Sequence, residues 1–301
     1  MRFLTDHYFQ IGHSHYVAGK PCQDYALSRS SEIIACAIVS DGCSTGGNTD
    51  VGSRILAFGT LQAIRDHAKA SNGSLDTAVI SIVARQQQLI ETVRPMLGLN
   101  RSDMLATCVY AYITRLGALI HIQGDGVIGI KYRSGWIDMH RFDWAKNAPF
   151  YPSYNDEEEK VYIINLHEGI FDTAVMSHVR FWRSPDGIFE KEEISQISFS
   201  EGRNGFIFRI SAEDLSIIEF IAVFTDGVSQ IGSLPNGNNL LDWRRGVTEF
   251  LSFKNNVGEF AKRRMIRGIK DMHRIGNGPI DDISFAVIHI ETDGVGKEDT
   301  Q

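Results

Sequence analysis

The sequence predicts an α+β fold in which strands form two antiparallel sheets packed face to face, with antiparallel helix pairs outside. Three observations predict it. Apolar strand-like runs stand on both sides of two consecutive helical patterns, short Gly-containing turns separate the runs, and a third helical pattern precedes the last strand. No internal repeat or low-complexity block interrupts the order.

Each element follows from its residues. Residues 33–40 are rich in Ile, Ala and Val, as a strand buried on both faces requires. Val51, Ile55, Leu61, Ile64 and Ala68 recur at helical spacing, with Asn48, Thr49 or Asp50 placed to cap that helix. Ser74 is the expected cap of a second helix marked by Val79, Ile82, Val83, Ile90 and Val93, and the two read as a hairpin over one sheet. Residues 105–132 read as three strands, with turns at Arg115-Leu116-Gly117 and Gly124-Asp125-Gly126. The stretch from Asp143 to Lys160, with two prolines and an acidic run, reads as a polar exposed connection. Residues 168–215 mix aromatics, Gly and charge without a clean period, so they read as an irregular insert. Phe260, Ile266, Ile269 and Met272 mark a third helix between Val257 and Ile275, closed by Gly276. Residues 1–295 are expected to form one domain, followed by a polar tail at 296–301.

Composition excludes more than it assigns. With 301 residues, 43% hydrophobic and 22% charged, the chain has the make-up of a globular protein with a sizeable core. Its net charge of −7 argues against nucleic-acid or anionic-membrane partners. Cys22, Cys36, Cys43 and Cys108 show no C-x-x-C spacing, so a disulfide framework or zinc site is not expected, and a reducing cytoplasm is. Asp6 and His7 break up the N-terminal stretch, so no signal peptide is expected, and no apolar run is long enough to predict a membrane span.

Four aspartates at the ends of apolar runs carry the functional signal. Three precede glycine after such a run: Asp41-Gly42 after Ile38-Val39-Ser40, Asp125-Gly126 after Ile120 to Gly124, and Asp226-Gly227 after Ile221 to Thr225. The fourth is Asp281-Asp282, just ahead of Ile283 to Ile288. Taken singly, each Asp-Gly reads as a hairpin turn, most strongly at Asp125, where Val127 to Tyr132 follows directly as a strand. Taken together, they suggest strand ends converging on a cation, because crowded carboxylates are costly without one.

The segment Gly12 to Ala26, ending in Gln23-Asp24, adds the next landmark. The order Gln23-Asp24, Asp41-Gly42 with a Gly-rich loop, Ala106-Thr107, Gly124-Asp125, Thr225-Asp226-Gly227, Asp281-Asp282 resembles the metal-dependent Ser/Thr protein phosphatases of the 2C type, in their bacterial branch. The resemblance runs from about residue 10 to 290. It implies an αββα sandwich, a mobile flap within about 168–215, and hydrolysis of phosphoserine and phosphothreonine in proteins.

Phosphate-ester hydrolysis needs a nucleophile at neutral pH and compensation for charge on the phosphoryl oxygens, and two divalent cations supply both. Mn²⁺ and Mg²⁺ prefer carboxylate, carbonyl and water oxygens. By resemblance, Asp41 would bridge two such ions and the Gly42 carbonyl would bind one. Asp226 and Asp281 would complete the first ion's shell, Asp24 would support the second, and Asp125 with Asp226 would offer an optional third site. Asp24, Asp41, Asp226 and Asp281 are thus the expected catalytic set, and the expected partner is a phosphorylated protein, the target of a Ser/Thr kinase.

The sequence also departs from the family pattern. Gln23 stands where many relatives carry a second acid, and Gly19-Lys20 stands near the place of the family's phosphate-binding Arg. Lys20 is the nearest cation and would hold phosphate as a point charge, without the fork of Arg. Cys43 follows Asp41-Gly42 where some animal relatives carry His, and it lacks the C-x5-R cradle of a thiol phosphatase. Asp282 replaces the Asn of the last motif and reads as an outer-shell carboxylate or a strand-start cap. His13 and His15 read as structural or solvated. The alternative function is a catalytically silent relative serving as a binding or regulatory module. Retention of five aspartates favours the enzyme, since crowded, unpaired carboxylates would destabilise a fold without metal.

Overall fold

The computed structural model describes residues 1–71, 74–154, 161, 174–235 and 237–292. Its strands are β1 (Arg2–Gln10), β2 (Tyr25–Ser30), β3 (Ile34–Ser40), β4 (Cys108–Thr114), β5 (Gly117–Gln123), β6 (Gly126–Tyr132) and β7 (Ile137–Trp144). Then come β8 (Ala174–Arg183), β9 (Glu190–Ser198), β10 (Phe206–Ser211), β11 (Ile218–Phe224), β12 (Ile231–Ser233), β13 (Asn277–Pro279) and β14 (Ile283–Glu291). Among the described residues, five helices of more than one turn accompany them: α1 (His13–Ala18), α2 (Thr49–Ser71), α3 (Ala78–Met96), α4 (Trp243–Phe250) and α5 (Phe260–His273).

A seven-stranded sheet in the order β1-β14-β11-β6-β7-β8-β9 faces a five-stranded sheet in the order β10-β5-β4-β3-β2. Every pairing within the two sheets is antiparallel. Alternation along each strand sorts the side chains into three cores. Val39, Val109, Ile120, Ile128, Val223 and Ile288 fill the space between the sheets. Ile38, Tyr110 and Tyr112 turn outward against Leu56 and Ile64 of α2 and Ile82 and Ile90 of α3. On the other side Phe224 and Phe285 meet Val247 and Phe250 of α4 and Met265 and Ile269 of α5. The result is the layered α+β sandwich that the sequence predicts.

Several local readings are corrected. The Gly124-Asp125 link is not a hairpin turn, because β5 and β6 lie in different sheets and Asp125 marks the crossover between them. The 168–215 stretch is irregular in sequence but not in structure, since its described part, 174–215, builds β8, β9 and β10. Seven of the nine residues of β9 are exposed, so no alternation appeared in its sequence. The expected flap falls partly on 168–173, outside the described residues. The Asp143–Lys160 connection is not wholly exposed, because Phe150 and Tyr151 are buried; residues 155–160 lie outside the described residues. Thr77, not Ser74, precedes α3, and the Asn48 side chain turns to Asp103. In α5 Met265 faces the core and Ile266 the solvent. Among the described residues, no helix is long and apolar enough to cross a membrane.

Candidate metal centre

Strand ends bring the aspartates together. Asp24 immediately precedes β2, Asp41 follows β3, Asp125 sits between β5 and β6, Asp226 follows β11, and Asp281 precedes β14. The charges of Asp24, Asp226 and Asp125 all bear on the Asp41 carboxylate, so these acids are neighbours. Asp24 and Asp125 are buried, at 1% and 6% exposure, whereas Asp41 and Asp226 are partly open, so the cluster has one wet side.

The glycines after Asp41 and Asp226 answer a packing need. Neither takes a positive φ. A Cβ on Gly42 would lie 2.6 Å from the Thr49 carbonyl oxygen, and one on Gly227 would lie 1.9 Å from that of Asp282. The backbone beside each carboxylate is pressed against another segment, which fixes where the strand end points.

Electrostatics mark the cluster as unfinished. Burial first, and then the charges of neighbouring aspartates, raise Asp41 and Asp125 well above the ordinary carboxylate range. Asp24 is raised by burial too, although the neighbouring Asp41 and the Thr225 hydroxyl oppose the rise. Burial and the charge of Asp281 push Asp226 up to about 6. Asp125 Oδ1 is buried with no hydrogen-bond partner. Among the described residues, no Lys or Arg pairs with Asp24, Asp41, Asp125 or Asp226. An all-oxygen donor set lacking a counter-charge fits a hard divalent cation.

Further residues, given no role by the sequence reading, hold the carboxylates in place. The Thr225 hydroxyl accepts the Ser284 N–H at 3.0 Å and donates to Asp24 Oδ2 at 2.6 Å. Gln230 Nε2 donates to Asp226 Oδ2 at 2.6 Å, four residues along the chain. Thr107 Oγ1 accepts the Asp41 N–H at 3.2 Å, while its own N–H donates to the Asp41 carbonyl at 2.8 Å. Asp103 accepts the N–H groups of Asn48 and Asn100 at 2.5 and 2.6 Å and so anchors the end of the Gly-rich loop. Asp143 adds its charge to those acting on Asp125 and Asp226. The motif order pointed to Thr225 and Thr107, but nothing local marked Gln230, Asp103 or Asp143.

The remaining sequence expectations divide. Gln23 Nε2 donates to Thr49 Oγ1 at 2.8 Å, and its Oε1 is buried with no hydrogen-bond partner. Lys20 is exposed, and its Nζ reaches the Ser44 carbonyl of the Gly-rich loop at 3.5 Å, a rim position. Cys43 packs beside Thr45 and the Tyr151 hydroxyl. Among the described residues, His15, Asp281 and Asp282 each bring one ligand atom within 4.8 Å of the others. In that group Asp282 is occupied by N–H donors on both oxygens, while Asp281 accepts the Asp282 N–H at 2.8 Å through Oδ1.

Comparison with known proteins identifies the fold and the family. A comparison with curated protein sequences finds no match. Among solved structures, the serine/threonine phosphatase Stp1 from Staphylococcus aureus superimposes with a TM-score of 0.53 at 12% identity, over 96% of this chain and 95% of that one. A bacterial serine phosphatase gives 0.53 at 12% identity, over 97% and 99%. A C. elegans sex determining protein gives 0.54 at 12% identity, over 97% of this chain and 65% of that one. At these identities the likeness is one of fold. The protein phosphatase 2C family model matches residues 11–265, and the chain belongs to that family.

Proposed function

We propose that the chain hydrolyses phosphoserine and phosphothreonine in proteins, with Mn²⁺ or Mg²⁺ held by Asp24, Asp41, Asp226, Asp281 and the Gly42 carbonyl. The observation that carries this reading is the convergence of acids from separate strand ends into one cluster with raised pKa values and, among the described residues, no Lys or Arg paired with it. When bound, two such cations supply an activated water and compensate charge on the phosphoryl oxygens. In this reading Asp41, whose carboxylate feels the charges of Asp24, Asp226 and Asp125, would be the bridging ligand. The unpartnered Asp125 oxygen, with Asp226, offers the optional third site. Thr225 and Gln230 orient Asp24 and Asp226, and Lys20 on the rim meets the phosphate of an incoming chain. Residues 1–295 act in this reading as one domain, and the four free cysteines suit the cytoplasm. The substrate is a phosphoprotein made by a Ser/Thr kinase.

The test is p-nitrophenyl phosphate hydrolysis with Mn²⁺, with Mg²⁺ and with EDTA, followed by a phosphopeptide panel. The expected result is turnover with either metal, none in EDTA, and cleavage of phosphoserine and phosphothreonine peptides. Metal binding without turnover would instead indicate a silent module that keeps the fold for recognition.

A further inference from the structure

Asp282 is 2% exposed, and its carboxylate collects three N–H groups. Oδ1 accepts from the Gly12 backbone at 2.7 Å. Oδ2 accepts from the Gln23 backbone at 2.6 Å and from His15 Nδ1 at 2.8 Å. Three of its four lone-pair directions therefore face donor hydrogens, which repel a cation as firmly as they hold a carboxylate.

The partners of Asp282 are the segments that deliver metal ligands. Gln23 is the residue before Asp24, and Asp281 is the residue before Asp282 itself. Gly227, next to Asp226, lies on the Asp282 carbonyl so closely that a Cβ there would be 1.9 Å from its oxygen. Gly12 lies on the Asp281 backbone, where a Cβ would meet the carbonyl carbon at 2.1 Å. The Ser14 N–H adds a bond to the Ile280 carbonyl at 2.9 Å. The Asp282 carboxylate thus ties the segments bearing Gly12, His15 and Asp24 to its own, and its backbone packs against the segment bearing Asp226.

We propose that Asp282, held by His15, is a positioning residue of the metal centre: it sets Asp24, Asp226 and Asp281 relative to one another without touching a cation. The inference rests on the metal-dependent reading above. An Asn at this position keeps one acceptor oxygen but turns an NH₂ group toward N–H donors, so it loosens the tie while preserving shape. Loss of such outer contacts typically weakens metal binding about ten- to a hundredfold.

The experiment is Mn²⁺ titration of the full chain by electron paramagnetic resonance and calorimetry, with melting curves in EDTA. The variants are Asp282→Asn, His15→Ala and, as comparator, Asp6→Asn. Asp6 accepts the N–H groups of Ala261 and Lys262 at 2.6 and 3.2 Å and caps α5, so it is a similar carboxylate tie outside the cluster. The expected result is at least about tenfold weaker Mn²⁺ binding in Asp282→Asn, a smaller loss in His15→Ala, and unchanged affinity in Asp6→Asn despite a lower melting temperature. Wild-type affinity in Asp282→Asn, or an equal loss in Asp6→Asn, overturns the proposal and leaves the metal reading standing. A wild-type chain that binds no Mn²⁺ overturns both.

Discussion

Asp125 and Asp282 are both buried carboxylates, at 6% and 2% exposure, yet their surroundings are opposite. Asp282 has N–H donors on both oxygens, whereas Asp125 has an oxygen with none and is surrounded by the charges of Asp226, Asp143 and Asp24. Burial alone therefore does not separate scaffold from site. A satisfied carboxylate binds segments of chain together; an unsatisfied one, crowded by like charge, keeps a place for a cation.

The comparison breaks most visibly if the unsatisfied set is replaced. Asp41→Asn or Asp226→Asn should each lower metal-dependent turnover by at least about a thousandfold, the several kcal/mol that metal charge stabilisation supplies. Circular dichroism should show both variants folded. Wild-type rates in either variant would mean that the site lies elsewhere.

The satisfied set should respond in stability instead. Asp103→Ala leaves the Asn48 and Asn100 N–H groups without their acceptor. It should lower unfolding free energy by about 2–4 kcal/mol, two charge-assisted bonds in a buried setting. Urea unfolding reads this directly, and a loss below about 1 kcal/mol would deny Asp103 its anchoring role.

Proton linkage sharpens the contrast because the signs differ. In EDTA the cluster carboxylates have folded pKa values above the ordinary value near 4, so their stability is present at acid pH and is lost as pH rises through about 6 for Asp226. His121 behaves in reverse. Burial depresses it to about 4, so its contribution is present above 6.5 and is lost as pH falls toward 4. Urea unfolding in EDTA should show the alkaline loss, on the order of 1–2 kcal/mol with the partial exposure of Asp226 allowed for. Excess Mn²⁺ at pH 8 should remove that loss and leave the acid-side loss in place. An alkaline loss that persists with metal would detach it from the cluster.

The smallest effect belongs to Lys20. A contact worth about 1–2 kcal/mol would raise KM roughly five- to thirtyfold in Lys20→Ala. Its exposure and the 3.5 Å contact to Ser44 reduce the expectation to about threefold, with kcat unchanged. Steady-state kinetics on one phosphopeptide would check it; an unchanged KM leaves phosphate binding to the cations alone.

How much of this was legible follows from where the partners lie in the chain. Asp41 and Asp226 stand out because an apolar run ending in a small residue and Asp-Gly marks a strand end locally. The two helix hairpin partners, α2 and α3, were legible from their apolar spacing. The Asp282 tie was not, since its donors lie 259 to 270 residues away and His15 carries no local sign of its partner. Gln230 and Asp103 were missed for the same reason: an amide or an acid in a turn shows its partner only after folding. The crossover at Asp125 was hidden because a turn between sheets and a hairpin turn use the same residues. β9, exposed over most of its length, has no periodicity to read.

The central claim is that the aspartate cluster is a cation site rather than part of the scaffold, and melting temperature tests it most directly. Wild type and Asp41→Asn should be melted at pH 8 in EDTA and in excess Mn²⁺. Removing one of several repelling charges should make Asp41→Asn melt above wild type in EDTA. Mn²⁺ should then raise wild type by several degrees and the variant by little, since only the intact cluster binds in the folded state. An Asp41→Asn protein that melts lower in EDTA and gains as much from Mn²⁺ as wild type would contradict the account.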